Sequence, residues 1–294
     1  MNILLLGSSG QVGSALRPLL EGSCNLTAAT RREADFEKAG QLASLVRSTK
    51  PDIIVNAAAY TAVDRAESEP GIAHMVNAAA PELLAIEAEK VGATFIHFSS
   101  DYVFDGRGEA PWSEADSPNP LSVYGKTKLE GEQKVLQACT RAIILRTSWV
   151  YSASGHNFIK AILQAALARE TLEVVDDQVG SPTGADLIAS ITQKIIERHK
   201  EIEPGVYHLA ASGYVSWFDY ASHVLADAQR LKPDAWAVRT VKPIKTSARP
   251  SPAPRPSNSR LDTGKLQKAL GCTLPAWQEG VDAVVLQLVK GGLL

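Results

Sequence analysis

The chain has 294 residues, 45% of them hydrophobic and 21% charged, with a net charge of -2. That length accommodates one large α/β domain, or a nucleotide-binding domain with a smaller lobe. The near-neutral charge removes the basic footprint of a nucleic-acid binder or an anionic-membrane binder. Cys24, Cys139 and Cys272 are far apart and form no Cys-x-x-Cys pair, so neither a disulfide framework nor a zinc or other metal site is expected. The apolar run at residues 2–7 lacks the basic flank and the length of a signal peptide, and no apolar stretch reaches a membrane span. A cytoplasmic chain without membrane partners is therefore expected.

In chain order, short apolar runs at 3–6, 26–29, 53–55, 94–98 and 142–145 read as buried strands. Amphipathic stretches at 12–20, 39–48, 80–91 and 122–138 read as the helices between them. Strands alternating with helices predict βαβ units and a parallel sheet covered on both faces, wound in the doubly wound, Rossmann-like manner. The second half is less regular, with helical patterns at 157–168, 186–200, 217–229 and 277–290. Its stretch 249–256, with four prolines, predicts an extended loop, because proline lacks the backbone donor and fixes φ.

Gly7, Gly10 and Gly13 follow the first strand and open the first helix, with Gln11 and Val12 between the last two. Glycines there permit a tight turn and close approach of a pyrophosphate, and the helix N-terminus offers free N–H groups to phosphate. The spacing is G-x-x-G-x-x-G, and its place between a strand and a helix is what gives it weight. The second strand runs into Thr30-Arg31-Arg32, with no carboxylate at its tip. An arginine in that place suits the 2′-phosphate of NADPH, with NADH left open. The alternative is that Arg31 and Arg32 are solvated surface charges. Gly125-Lys126-Thr127 resembles the end of a P-loop, but Pro120 stands where that motif has its first glycine and no strand leads in.

Tyr124 and Lys128 are spaced i, i+4 and share one helix face. Lys128 is expected to lower the Tyr124 phenol and ready it as a proton donor. Ser100, 24 residues before Tyr124, lies at the C-terminal end of a strand, where such sheets bind ligands. Its hydroxyl would hold the substrate oxygen that Tyr124 protonates. Neither a G-x-S-x-G elbow nor an H-E-x-x-H helix is present.

With these residues in place, the chain resembles the dTDP-4-dehydrorhamnose reductase family of extended short-chain dehydrogenases. The resemblance runs nearly end to end. Beyond the glycine turn it rests on Asn56-Ala57-Ala58-Ala59-Tyr60-Thr61-Ala62-Val63-Asp64, Ser100-Asp101-Tyr102-Val103-Phe104, Tyr124-Gly125-Lys126-Thr127-Lys128, Arg146-Thr147-Ser148-Trp149-Val150-Tyr151 and Arg255-Pro256-Ser257-Asn258-Ser259-Arg260-Leu261. It implies reduction of the 4-keto group of dTDP-4-dehydro-L-rhamnose by NAD(P)H. It also implies a nucleotide-binding part at 1–148, rejoined by 184–208, and a smaller C-terminal substrate-binding lobe at 149–183 and 209–294.

Residue by residue, the resemblance implies Tyr124 as proton donor, Lys128 as its cofactor-binding partner and Ser100 beside them. Gly10, Gln11, Val12, Asp35, Phe36, Ala59, Tyr60, Thr61 and Phe98 would line the dinucleotide. Asp101, Tyr102 and Trp149 would touch the sugar, and Arg260 would meet the diphosphate. Related dehydratases carry Asp-Glu after the hydroxyl residue, whereas here Tyr102 follows Asp101, which favours reduction over elimination. Some relatives bridge a dimer through a metal bound by a glutamate in the first helix. Ala15 occupies that stretch here, so the metal is not carried over, and a homodimer is merely compatible. Two alternatives share the fold: a reductase or epimerase of another nucleotide sugar, and a non-catalytic regulatory subunit of the methionine adenosyltransferase type.

Overall fold

The computed structural model describes residues 1–292. Six parallel strands form the central sheet: β1 (Asn2–Leu6), β2 (Asn25–Ala29), β3 (Ile53–Asn56), β4 (Thr94–Ser100), β5 (Ala142–Thr147) and a last strand, Gly205–His208. Their order across the sheet is β2, β1, β3, β4, β5, then Gly205–His208. The chain leaves β1 toward one edge, returns, and builds the other half outward from β3. The order reverses between β1 and β3, which opens a crevice at the C-terminal ends of those strands. All five sequence-predicted strands are present, and the sheet is the doubly wound one expected.

The apolar runs become strands because they are buried on both faces. Leu4, Leu5 and Leu6 are wholly buried, each contributing roughly 1.5–3 kcal/mol by leaving water. Ile3 and Leu5 face α1 (Gln11–Glu21), while Leu4 and Leu6 face α2 (Ala39–Thr49) on the opposite side. The stretch 63–79, too short in any one pattern to predict, folds as α3 (Val63–Ala66), α4 (Pro70–His74) and a single π-turn, Met75–Ala79. These lead into α5 (Ala80–Val91), and α6 (Val123–Ala138) packs beside it.

A second hydrophobic core lies beyond the sheet. It is built from Tyr151, α7 (Phe158–Ala168), α9 (Trp217–Leu231) and α10 (Trp277–Lys290). Between α7 and α9, α8 (Ala185–Glu197) returns to pack on α1. The periodicity at 186–200 overruns that helix by three residues. The parallel pair Thr171–Val175 and Thr240–Ile244 gave no sequence signal, and Pro243 sits within it at an open edge. Residues 250–256 form neither helix nor strand, as the prolines require. Among the described residues no helix is long and apolar enough to cross a membrane.

Two close approaches bring α6 onto the π-turn and onto the turn that follows β4. A Cβ on Gly131 would sit 2.0 Å from the Asn77 carbonyl oxygen of the π-turn, and one on Gly125 would sit 2.2 Å from the Tyr102 carbonyl oxygen. Gly131→Ala is therefore expected to cost about 2 kcal/mol, the usual penalty of overpacking. Gly22→Ala, which meets nothing within 4 Å, is expected to leave the denaturation midpoint unchanged. Urea denaturation of the two variants checks this.

Candidate active site

The glycine turn is shaped by contact. Gly7 has φ of 73°, and a Cβ there would lie 2.6 Å from the Ala58 nitrogen. A Cβ on Gly13 would lie 2.1 Å from the Gly7 carbonyl oxygen, so helix and strand touch backbone to backbone. Gly10 begins α1 with no side-chain cap, leaving the first-turn N–H groups of Gln11, Val12 and Gly13 free for an anion. A cavity of about 480 Å³ opens beside the turn. Gly7, Gly10, Arg31, Asp35, Phe36, Ala59 and Tyr60 of the predicted set line it. Gln11, Val12, Gly13, Thr61, Phe98, Tyr124 and Lys128 do not. Val12 and Phe98 pack into the core. The Gln11 side chain instead accepts from Ser152 at 3.1 Å and from Asn157 at 3.0 Å, clasping the loop that leads into α7.

The tip of β2 differs from expectation. No carboxylate follows the strand directly, but the next turn brings two back to it. Glu33 accepts from the Thr30 amide at 3.0 Å and its hydroxyl at 2.5 Å, and Glu37 pairs with Arg31 at 2.6 Å. Arg31 is therefore not a free cation. A 2′-phosphate would have to draw it from Glu37, an exchange between solvent-exposed groups that costs about 1 kcal/mol or less. Arg32 points away and is not part of the cavity lining. The capless turn and the cavity fit a dinucleotide.

The second part of the site stands at the end of β4. Ser100 closes the strand and accepts the Tyr102 N–H at 3.2 Å, starting a single 3₁₀ turn over Asp101–Val103. Ser122 caps α6 by accepting the Gly125 N–H at 3.1 Å. The helix therefore begins just before Tyr124, whose ring meets Tyr102 edge-on with centroids 5.4 Å apart. One turn on, Lys128 is only 2% exposed and donates to the Phe98 carbonyl at 2.6 Å. A further turn on, buried Glu132 pairs bidentately with Arg146 of β5, the closest approach being 2.7 Å. Tyr124, Lys128 and Glu132 thus form one line along α6.

Burial pushes the Tyr124 phenol well above its ordinary range, and the Ser100 hydroxyl is the group that draws it down. The Lys128 ammonium, one helical turn on, is held on the Phe98 carbonyl. Burial brings Lys128 down to about 8, opposed by Glu132. At neutral pH the phenol is protonated and the ammonium charged, the states a proton donor and its electrostatic partner need.

Asp101 accepts from the Ser100 hydroxyl at 2.9 Å through Oδ1, while Oδ2 lacks a well-formed hydrogen bond. Burial raises its carboxyl to about 6, against Ser259, Ser100 and backbone groups that favour the charge. The Ser259 hydroxyl lies near enough to favour that charge without completing a bond. Trp149 has φ of 48°, uncommon for a bulky residue. It stacks on Trp217 with centroids 3.5 Å apart, over Gly180, where a Cβ would come within 2.7 Å of its ring. Arg260 donates to Asn258 Oδ1 at 3.0 Å and lies 6.0 Å from the Tyr214 ring centre. Among the described residues no group of three or more His, Cys, Asp or Glu is placed to hold a metal.

Sequence reasoning missed the partners that hold these groups. Asn77 binds both backbone groups of Tyr60 and donates to Thr127 at 3.2 Å, which accounts for the P-loop-like threonine. Glu132 and Arg146 were separated by 14 residues with no local pattern linking them.

A six-strand parallel sheet with a glycine turn at its switch point, and Ser100, Tyr124 and Lys128 gathered at the next crossover, defines a Rossmann-type protein of the extended short-chain reductase class. Within that class, the profile of the RmlD substrate binding domain matches residues 1–290, and the chain belongs to that family. It is 47% identical to a dTDP-4-dehydrorhamnose reductase of Escherichia coli (strain K12), covering 98% of both chains. It superposes with a TM-score of 0.91 on a crystal structure of a dTDP-4-dehydrorhamnose reductase from Clostridium acetobutylicum (34% identity; 98% of this chain, 99% of the other). A dTDP-4-dehydrorhamnose reductase from Bacillus anthracis, in complex with NADP, gives 0.90 (30% identity; 97% and 99%).

The raised Asp101 carboxyl sets a pH test. Between about pH 4 and 6 the folded chain holds a proton there that the unfolded chain releases, so this group's contribution to stability falls as pH rises through that window. The loss approaches on the order of 3 kcal/mol above pH 6. The melting temperature of Asp101→Asn relative to the parent is therefore expected to rise from pH 4 to pH 6 and to level off above. A difference independent of pH would contradict the buried, uncompensated carboxyl.

Proposed function

We propose that the protein reduces the 4-keto group of dTDP-4-dehydro-L-rhamnose to give dTDP-L-rhamnose, with NADPH as reductant and NADH as an accepted substitute. What carries this reading is the convergence of Ser100, Tyr124 and Lys128 at the end of β4, in a chain that matches dTDP-4-dehydrorhamnose reductases over almost its whole length. The nicotinamide, when bound, supplies the hydride that the carbonyl carbon accepts. Residues 1–148 with 184–208 would hold the dinucleotide, and 149–183 with 209–294 the sugar nucleotide. The three cysteines, free among the described residues, suit a cytoplasmic setting.

The chain's own residues divide the remaining work. Tyr124, kept protonated by burial, gives its proton to the C4 oxygen. Ser100 donates a hydrogen bond to the same oxygen, releasing Asp101 Oδ1 to do so. Charge then passes to the phenolate, which the Lys128 ammonium stabilises in a site sheltered from water. The free N–H groups of Gln11, Val12 and Gly13 would take the pyrophosphate. Arg31, exchanged from Glu37, would take the 2′-phosphate. Tyr102 and Trp149 would flank the sugar, with Arg260 near its diphosphate.

NADPH oxidation measured with dTDP-4-dehydro-L-rhamnose, in the parent and in Tyr124→Phe, tests the reading. The parent is expected to turn over. The variant should lose at least about 100-fold in kcat, the usual worth of a general acid, while NADPH affinity is retained. No oxidation by the parent, or full activity in the variant, would overturn it.

A further inference from the structure

The proline-rich stretch does more than connect. Its Arg255 donates from Nη2 to Asp64 Oδ2 at 2.9 Å and from Nη1 to the Tyr102 hydroxyl at 3.4 Å. The Ala253 N–H reaches Asp64 Oδ1 at 3.3 Å, and Ala253 is fully buried. At its far end the stretch is pinned to Gly106. The Ser257 hydroxyl and the Asn258 amide both donate to the Gly106 carbonyl, at 2.7 and 3.0 Å, and a Cβ on Gly106 would lie 2.5 Å from Pro256. Residues 253–258 are therefore a strap, fastened at one end to α3 and at the other to the loop after β4.

The fastening falls beside the proton donor. Asp64 belongs to α3, and α3 is tied to the start of α6, since Glu67 accepts the Val123 N–H at 2.8 Å. Ala66 and Ala73 pack with Tyr124, and Tyr60, Val63, Tyr102 and Val123 close around them. One guanidinium thus joins the strap, the element packed on Tyr124, and the hydroxyl of the ring that meets Tyr124 edge-on. No other side chain in the structure hydrogen-bonds the Tyr102 hydroxyl, among the described residues.

We propose that Asp64 and Arg255 are a positioning pair for the sugar nucleotide. Their bridge seats the strap and fixes the direction of the Tyr102 hydroxyl toward the site where the sugar is reduced. This rests on the reading of that site given above. Both side chains are partly exposed, 41% for Asp64 and 35% for Arg255, so the bridge is weak enough to open as ligands enter and leave. It acts on the sugar nucleotide and not on the dinucleotide, because neither residue lines the cavity at the glycine turn.

A double-mutant cycle of Asp64→Ala and Arg255→Ala tests the pairing. Each single variant is expected to raise KM for the sugar nucleotide about fivefold, the equivalent of about 1 kcal/mol, with NADPH affinity and melting temperature unchanged. The double variant should be no worse than either single, and Asp64→Glu should restore KM. Independent, additive losses, an unchanged KM, or a parallel loss of NADPH affinity would each overturn the proposal.

Amide exchange without any substrate separates this from the functional reading. Within the strap, 253–258, only Ala253, Arg255, Ser257 and Asn258 carry an exchangeable amide, and the Ala253 amide is the one that donates to Asp64. Asp64→Ala should speed it. Faster exchange in a protein whose parent turns over no sugar nucleotide would keep the latch and discard the substrate. Unchanged exchange would discard the latch.

Discussion

An ammonium buried at the end of a parallel sheet is the constraint around which the rest is arranged. A lysine removed from water is costly unless its charge is met. Lys128 meets it with the Phe98 carbonyl at 2.6 Å and, one helical turn away, with a glutamate itself tied to Arg146. That arrangement places α6 against β4 and β5, while Gly125 and Gly131 let the helix lie close on the turn after β4 and on the π-turn. Tyr124 is then delivered to Ser100 by helical geometry alone. The phenol stays protonated through the same burial that forms the core, and the ammonium stays charged against that burial with the help of Glu132.

The two halves of the site are built by different means. The dinucleotide half is backbone: a glycine turn, an uncapped helix start and a cavity closed by the loop after β2. The reducing half is side chains held by strand ends and a helix cap. The clasp of Gln11 on Ser152 and Asn157 ties the first half to the second hydrophobic core. The Arg255 bridge ties the proline-rich strap to α3 and to Tyr102 in the second half. Both contacts join segments far apart in the chain.

The sheet was legible because strands buried on both faces write uninterrupted apolar runs, and the runs at 3–6 and 94–98 have no other reading in an α/β pattern. Tyr124 and Lys128 were legible because a helix fixes their spacing. What was not legible depends on distance along the chain. Asp64 and Arg255 lie 191 positions apart, and nothing local to either marks the other. The helices within 63–79 are each too short to show a period, and the pair Thr171–Val175 with Thr240–Ile244 is stabilised by a partner far along the chain. The partners of the β2 tip were hidden for a related reason. Composition placed arginine there, but the loop's return brought Glu33 and Glu37 back beside it. Spacing showed that Lys128 shares a face with Tyr124, and not that the Phe98 carbonyl holds its ammonium.

The central claim is that this assembly passes a hydride to the sugar and does not merely bind a dinucleotide. The most direct measurement is proton and deuterium NMR of the sugar nucleotide after reaction with NADPH deuterated at the nicotinamide C4 on the transferred face. The account predicts one deuterium at C4 of the rhamnosyl ring and none elsewhere. Protein that binds the deuterated cofactor yet leaves the sugar without deuterium at C4 would contradict it.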